Sequence, residues 1–213
     1  MIIFFKKLVQ LTIFFICFAT HATEFYFVRH GQTDHNIGLV KNNLDLPLNP
    51  VGRKQAAMVK EYVKNLPIKT ICYSPLLRAK QTKDIINAAL NIPEFKISEL
   101  AEGAGDFWNE LQKIKNKQMP ISKNLKKFLK RVSKGLDKVL GCPPSVLIVA
   151  HGGVYSALCR ILKINTDEWA IANCSLMHFY KNADGSWSVK YLFDVGSGRV
   201  YDLSYEQTAQ LNI

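Results

Sequence analysis

Two histidines in this chain are each followed by glycine, in Arg29-His30-Gly31 and in His151-Gly152-Gly153. Each comes directly after a short apolar run, Glu24 to Val28 before the first and Val146 to Ala150 before the second. An imidazole placed there can offer one ring nitrogen to an electrophile while the other, hydrogen-bonded, sets the tautomer. Glycine lets main chain approach a ligand closely, and the turn into the next element exposes amide N–H groups to an anion. Arg29 adds a cation beside His30, and Arg78, near the start of a predicted helix, can reach the same region. Two guanidinium groups and two imidazoles around one pocket form a trap for an oxyanion.

The elements that must position these groups follow from the apolar pattern. Glu24 to Val28, Thr70 to Tyr73 and Val146 to Ala150 read as strands, the last a continuous β-branched run expected of a buried central strand. Asn49-Pro50 is an N-cap and first-turn pair for a helix with apolar positions Val51, Ala56, Met58, Val59, Tyr62, Val63 and Leu66. Ser74-Pro75 opens a second helix that runs to about Leu90, before Asn91 and Pro93. Leu125, Phe128, Leu129, Val132, Leu136, Val139 and Leu140 mark one face of a further helix, and its lysine-rich opposite face reads as solvated. A helix through Leu162 follows His151. Asn173 to Lys181 and Ser186 to Phe193 form a predicted hairpin about Asn182-Ala183-Asp184-Gly185. The polar stretch from Lys96 to Pro120 is long enough for a functional loop or lid.

This alternation predicts an α/β three-layer sandwich, a mainly parallel central sheet with helices on both faces. In such a sheet the carboxyl ends of the strands line the ligand crevice, so His30 and His151 are expected to converge there. The length, 213 residues with 48% hydrophobic content, suits one compact domain. A formal charge of +11 attracts phosphates, nucleic acids and anionic lipids alike. No aromatic–basic interleaving or known motif supports a nucleic-acid partner.

Residues 1–22 combine Lys6 and Lys7 with an apolar run from Leu8 to Ala19 and small residues around Ala22, the layout of a signal peptide. The expected division is therefore a leader over 1–22 and one domain over 23–213, in a periplasmic or secreted protein. Membrane contact would come only through an uncleaved leader. Cys72, Cys142, Cys159 and Cys174 contain no C-x-x-C pair and read mostly as buried apolar residues, with one disulfide left open.

Four segments in order, V-R-H-G-Q-T-D-H-N at 28–36, L-N-P-V-G-R-K-Q-A at 48–56, Y-S-P-L-L-R-A-K-Q-T at 73–82 and V-A-H-G-G at 149–153, resemble the histidine phosphatase superfamily, also called phosphoglycerate mutase-like. The resemblance implies that His30 is the nucleophile that becomes phosphohistidine. It also implies that Arg29, Arg78 and His151 bind the phosphoryl oxygens. Thr33 and Asn36 would hydrogen-bond or position, Asn36 nearer the phosphate, and Gly152 would present its backbone N–H; Gln32 and His35 fall at variable positions and read as surface residues. The proton donor implied is Glu102, in E-L-A-E-G-A-G-D-F-W at 99–108, with Glu99 and Asp106 as alternatives. No metal or cofactor is implied. The expected activity is hydrolysis of a phosphomonoester, acid phosphatase-like, on a phosphorylated small molecule, glycan or lipid. A mutase-like phosphotransferase, or a silent binder of phosphorylated ligands, stands as the alternative. The leaving group and the oligomeric state are not legible, and substrate choice is expected to lie in loops around 37–47 and 99–120.

Overall fold

The computed structural model describes residues 23–41, 45–103, 110, 121–166, 170–195 and 199–200, so the expected leader lies outside the described residues. The elements in chain order are β1 (Glu24–Arg29), α1 (Pro50–Val63), β2 (Thr70–Tyr73), α2 (Leu77–Leu90), β3 (Glu94–Lys96), a 3-10 turn (Ser98–Leu100), α3 (Lys123–Leu140), β4 (Val146–Ala150), α4 (Gly152–Ile161), β5 (Leu176–Lys181), β6 (Trp187–Asp194) and β7 (Arg199–Val200). The strands form one mixed sheet in the order β3-β2-β4-β1-β5-β6-β7. β3, β2, β4 and β1 run parallel, and β5, β6 and β7 each pair antiparallel with the strand before. The fold is thus the α/β sandwich expected, with a parallel half that carries the histidines and an antiparallel flank.

The pleat divides the core in two. Phe25, Phe27, Cys72, Val146 and Ile148 face a cluster completed by α3 and α4. Tyr26, Val28, Ile71, Leu147 and Val149 face the cluster completed by α1 and α2. β4 is therefore covered on both faces, and every one of its residues is buried, which is why its sequence alternates nothing and stays apolar throughout.

α1 begins as expected, with the Asn49 side chain accepting from Gly52 N at 2.9 Å and Pro50 in the first turn. Its buried stripe is Gly52, Ala56, Val59 and Val63. Val51 and Met58, expected on that face, are exposed, because the stripe starts from the glycine. The reason is a main-chain contact: a Cβ on Gly31 would collide with the Gly52 carbonyl, and one on Gly52 with the Gln32 carbonyl. The segment after His30 thus lies directly on the first turn of α1. The short edge strand β3 lies where the sequence predicts only a chain leaving α2; three exposed residues carry no alternating signal. The hairpin turns at Asn182–Gly185 as expected, with Gly185 at φ +84°. Cys72 and Cys142 are free thiols with sulfurs 3.6 Å apart.

Gly52→Ala should destabilise the fold by about 1–3 kcal/mol, since the Gln32 main chain that the new Cβ would meet cannot withdraw as a side chain would. Urea denaturation gives the value; a change of only a few tenths would mean that the loop after His30 is free to move away.

Candidate functional site

Register brings the two histidines together. Arg29 is paired with Ala150 across β1 and β4, so His30 and His151 are the next residues of adjacent parallel strands. His30 N donates to Ala150 O at 2.9 Å, and Ser74 N donates to Val149 O at 3.0 Å at the end of β2. The imidazole centroids lie 5.1 Å apart, and both rings are buried.

His30 has its tautomer set by the main chain. Its Nδ1 is 2.7 Å from the carbonyl oxygen of Gly31, which can only accept, so Nδ1 carries the proton. Nε2 is left with its lone pair, and Arg78 Nε donates to it at 3.2 Å. Burial, with Arg29 and then Arg78 alongside, holds this imidazole well below its ordinary titration range. His151 is held low by burial first and then by His30 and the arginines. Its Nε2 is 2.6 Å from Ser74 Oγ, and its buried Nδ1 has no hydrogen-bond partner among the described residues. That nitrogen is the one left for a ligand.

Arg78 sits in the first turn of α2 and is 5% exposed. Arg29 is half-buried and donates from Nη1 to Ile171 O, while its buried Nε finds no protein partner among the described residues. Burial lowers the pKa of both guanidinium groups, and the Glu102 carboxylate opposes that lowering in each.

Glu102 reaches the same place from the far side. Its Oε2 accepts from Gly153 N, in the first turn of α4, at 3.2 Å, and its Oε1 accepts from Gly103 N at 3.0 Å. A Cβ on Gly153 would come within 2.3 Å of Oε1, so the second glycine of His151-Gly152-Gly153 makes room for this carboxyl. Burial raises the Glu102 pKa, and the two amide donors, Arg78 and Arg29 only partly offset it. Glu99 is elsewhere: it pairs with Lys138, whose hydrogen bond lowers its pKa. Asp106 lies outside the described residues.

Thr33 is buried and Asn36 exposed. Asn36 Oδ1 accepts from Thr33 N at 3.0 Å, Thr33 Oγ1 at 3.1 Å and Asn173 Nδ2 at 3.2 Å, which leaves the Asn36 NH2 group for a ligand oxygen. Gln32 and His35 are not simple surface residues. Gln32 is half-buried, donates from N to Gln55 Oε1 and accepts at Oε1 from Asn49 Nδ2, and His35 Nδ1 meets Val40 O at 2.9 Å.

Three contributors escape the sequence reading. Ser74 and Thr82, which accepts from Gly31 N at 3.0 Å, lie inside the segment at 73–82, where Arg78 and Lys80 stand out by charge. Asn173, donating to His30 O at 2.9 Å, lies 143 residues from its partner and carries no local signal.

The sequence profile of the Histidine phosphatase superfamily (branch 1) matches residues 25–195. An uncharacterized phosphatase, PhoE, of Bacillus subtilis (strain 168) is 37% identical over 145 residues, which cover 64% of this chain and 75% of that protein. Agropine synthesis reductase of Rhizobium rhizogenes is 28% identical over 180 residues, 78% of this chain, but the match spans only 41% of that longer protein. Among solved structures, the mycobacterial glucosyl-3-phosphoglycerate phosphatase in complex with VO3 superposes with a TM-score of 0.64 at 20% identity, covering 86% of this chain and all of that one. It shares the fold.

The two imidazoles carry a consequence for stability. Their folded pKa values lie below the unfolded value of about 6.5, so in acid the unfolded chain binds more protons. The stability they contribute is present above that value and is lost as pH falls toward the folded values. The urea midpoint should therefore fall between about pH 7 and pH 5, and fall less in His151→Asn. Parallel pH slopes in the two proteins would mean that the His151 ring is solvated.

Proposed function

We propose, on the premise that this chain belongs to the histidine phosphatase superfamily, that it hydrolyses phosphomonoesters through a phosphohistidine on His30. In this reading His30 Nε2 attacks phosphorus, and the Nδ1–H held on Gly31 O spreads the positive charge that develops on the ring. Arg29, Arg78 and the free Nδ1 of His151 receive the phosphoryl oxygens, with the Asn36 amide as a further donor. The P–O bond breaks and the leaving oxygen takes the proton of Glu102. The resulting carboxylate then removes a proton from water, the hydroxide attacks phosphorus, and the P–N bond breaks to return neutral His30 and inorganic phosphate. Gly152 retains the expected role of presenting its N–H, beside the Gly153 amide that holds Glu102.

The single observation that carries this reading is that two acidities are shifted toward each other. Catalysis needs a neutral imidazole and a protonated carboxyl at once, a combination nearly absent when His titrates near 6.5 and Glu near 4.3. Here burial and the arginines lower His30 while burial raises Glu102, and both shifts favour the reactive pair of protonation states. That supports an acid phosphatase-like enzyme. The leader-like residues 1–22 support an exported one, and a phosphorylated small molecule, glycan or lipid as substrate; N-terminal sequencing of the mature protein tests the export.

His30→Ala should abolish turnover with the fold intact, and brief reaction with a labelled phosphomonoester should leave an acid-labile adduct on wild type alone. Arg78→Ala should cost about 10²–10³-fold in kcat, the order found on removing a transition-state donor. Glu102→Gln should reduce alkyl-ester hydrolysis by about 10²–10⁴-fold while nitrophenyl phosphate, which leaves without much help, falls far less. Because Glu102 must start protonated, the wild-type rate on alkyl esters should decline as pH rises past its pKa, and the variant should lose that limb. Equal losses on both ester classes would remove Glu102 as the acid.

A further inference from the structure

The lysine-rich face of α3, read from sequence as merely solvated, borders a built feature. An open cleft of about 430 Å³ lies between α3 and the 3-10 turn, lined by Ser98, Glu99, Lys127, Lys130, Arg131 and Lys134. The one carboxylate in that lining is already neutralised, since Glu99 pairs with Lys138 and also accepts from Ser98 Oγ at 3.1 Å. Lys127, Lys130 and Lys134 are exposed and form no ion pair among the described residues. Their spacing of three and four residues puts them on one side of the helix, along a span of about 10 Å at ~1.5 Å per residue.

The inner wall of the cleft touches the main chain of Glu102. Arg131 is half-buried and donates from Nη1 to Glu99 O at 2.9 Å and from Nη2 to Glu102 O at 3.4 Å, with its guanidinium 5.0 Å from the Phe128 ring centroid. Its hydrogen bonds go to main-chain carbonyls, so they fix the group in place without using a carboxylate to cancel its charge. Residue 102 therefore stands between the two spaces, its carbonyl on the Arg131 side and its carboxyl on the Gly153 amide.

The leaving group has to lie against the Glu102 carboxyl, and the main chain of the same residue borders the cleft through its bond to Arg131. We propose that the Lys127–Lys130–Arg131–Lys134 cleft binds a second anionic group of the substrate, a phosphate or carboxylate carried on the leaving alcohol across a sugar-sized spacer. This rests on the reading of the His30 pocket as a phosphomonoesterase centre. Each exposed lysine contributes little alone, but several converging on one dianion beside a pre-positioned arginine give a selectivity of about tenfold.

The test compares glucose 1,6-bisphosphate with glucose 6-phosphate, by kcat/KM per ester group, in wild type and in Lys127→Ala/Lys130→Ala/Lys134→Ala. Wild type should prefer the bisphosphate by about tenfold at low salt, and added NaCl should shrink the preference. The triple variant should treat the two esters alike while keeping wild-type activity on glucose 6-phosphate and on nitrophenyl phosphate. Absence of the preference in wild type, or its survival in the variant, overturns the proposal. If wild type hydrolyses none of the three esters, the phosphatase reading fails by itself. Calorimetric titration with glucose 1,6-bisphosphate then decides the cleft: weaker binding by the variant supports it, and equal binding overturns it.

Discussion

The site depends on one constraint, the burial of β4 on both faces between β1 and β2. A strand covered by α1 and α2 on one side and by α3 and α4 on the other cannot slip by a residue without moving its side chains from one cluster into the other. That locks the register in which Arg29 faces Ala150 and Tyr73 faces Val149. The residues that follow, His30, Ser74 and His151, then emerge side by side at the carboxyl ends of three neighbouring strands. The chain lays down β1, β2 and β3 outward and returns to insert β4 between the first two, which opens a crevice at that point.

On this frame the electrostatics are arranged by desolvation more than by pairing. Two guanidinium groups and two imidazoles share the crevice with one carboxyl, and none of the five is in an ion pair with another at hydrogen-bond distance. Burying cations with so little counter-charge is costly, and an oxyanion placed among them would lower that cost. The same desolvation keeps His30 and His151 neutral and Glu102 inclined to hold its proton. A water-filled site with the same residues would lose those shifts, since each group would return toward its ordinary titration range.

The parallel half of the fold and the meeting of the two histidines were legible because they rest on local signals: apolar runs of strand length, an Asn-Pro helix start, and histidine-glycine at two strand ends. What the sequence could not carry were contacts whose partners are far apart in the chain. Asn173 finds the His30 carbonyl, Thr82 the Gly31 amide, and Ser74 the His151 ring, and each looks like any polar residue until the strands are assembled. The displaced stripe of α1 has the same origin. A helix face counted from apolar residues includes Val51 and Met58, whereas the real face starts at Gly52, chosen because main chain from the His30 loop must rest on it.

Glu102 shows most clearly how a motif and a contact differ. Glu99, Glu102 and Asp106 stand close together in sequence, and nothing in their spacing ranks them. The structure separates Glu99 from Glu102 by their neighbours: Glu99 meets a lysine on the surface of α3, and Glu102 meets the start of α4. That second contact is made at a glycine 51 residues away, where an added Cβ would press on the carboxylate oxygen and make it shift. The double glycine after His151 therefore answers to two demands. Gly152 begins the helix beside the His151 ring, and Gly153 leaves its amide open to a carboxyl arriving from another part of the chain. The backbone segment bearing that carboxyl is itself held from behind by Arg131, so the position of the acid is set jointly by α4 and α3 and by neither alone.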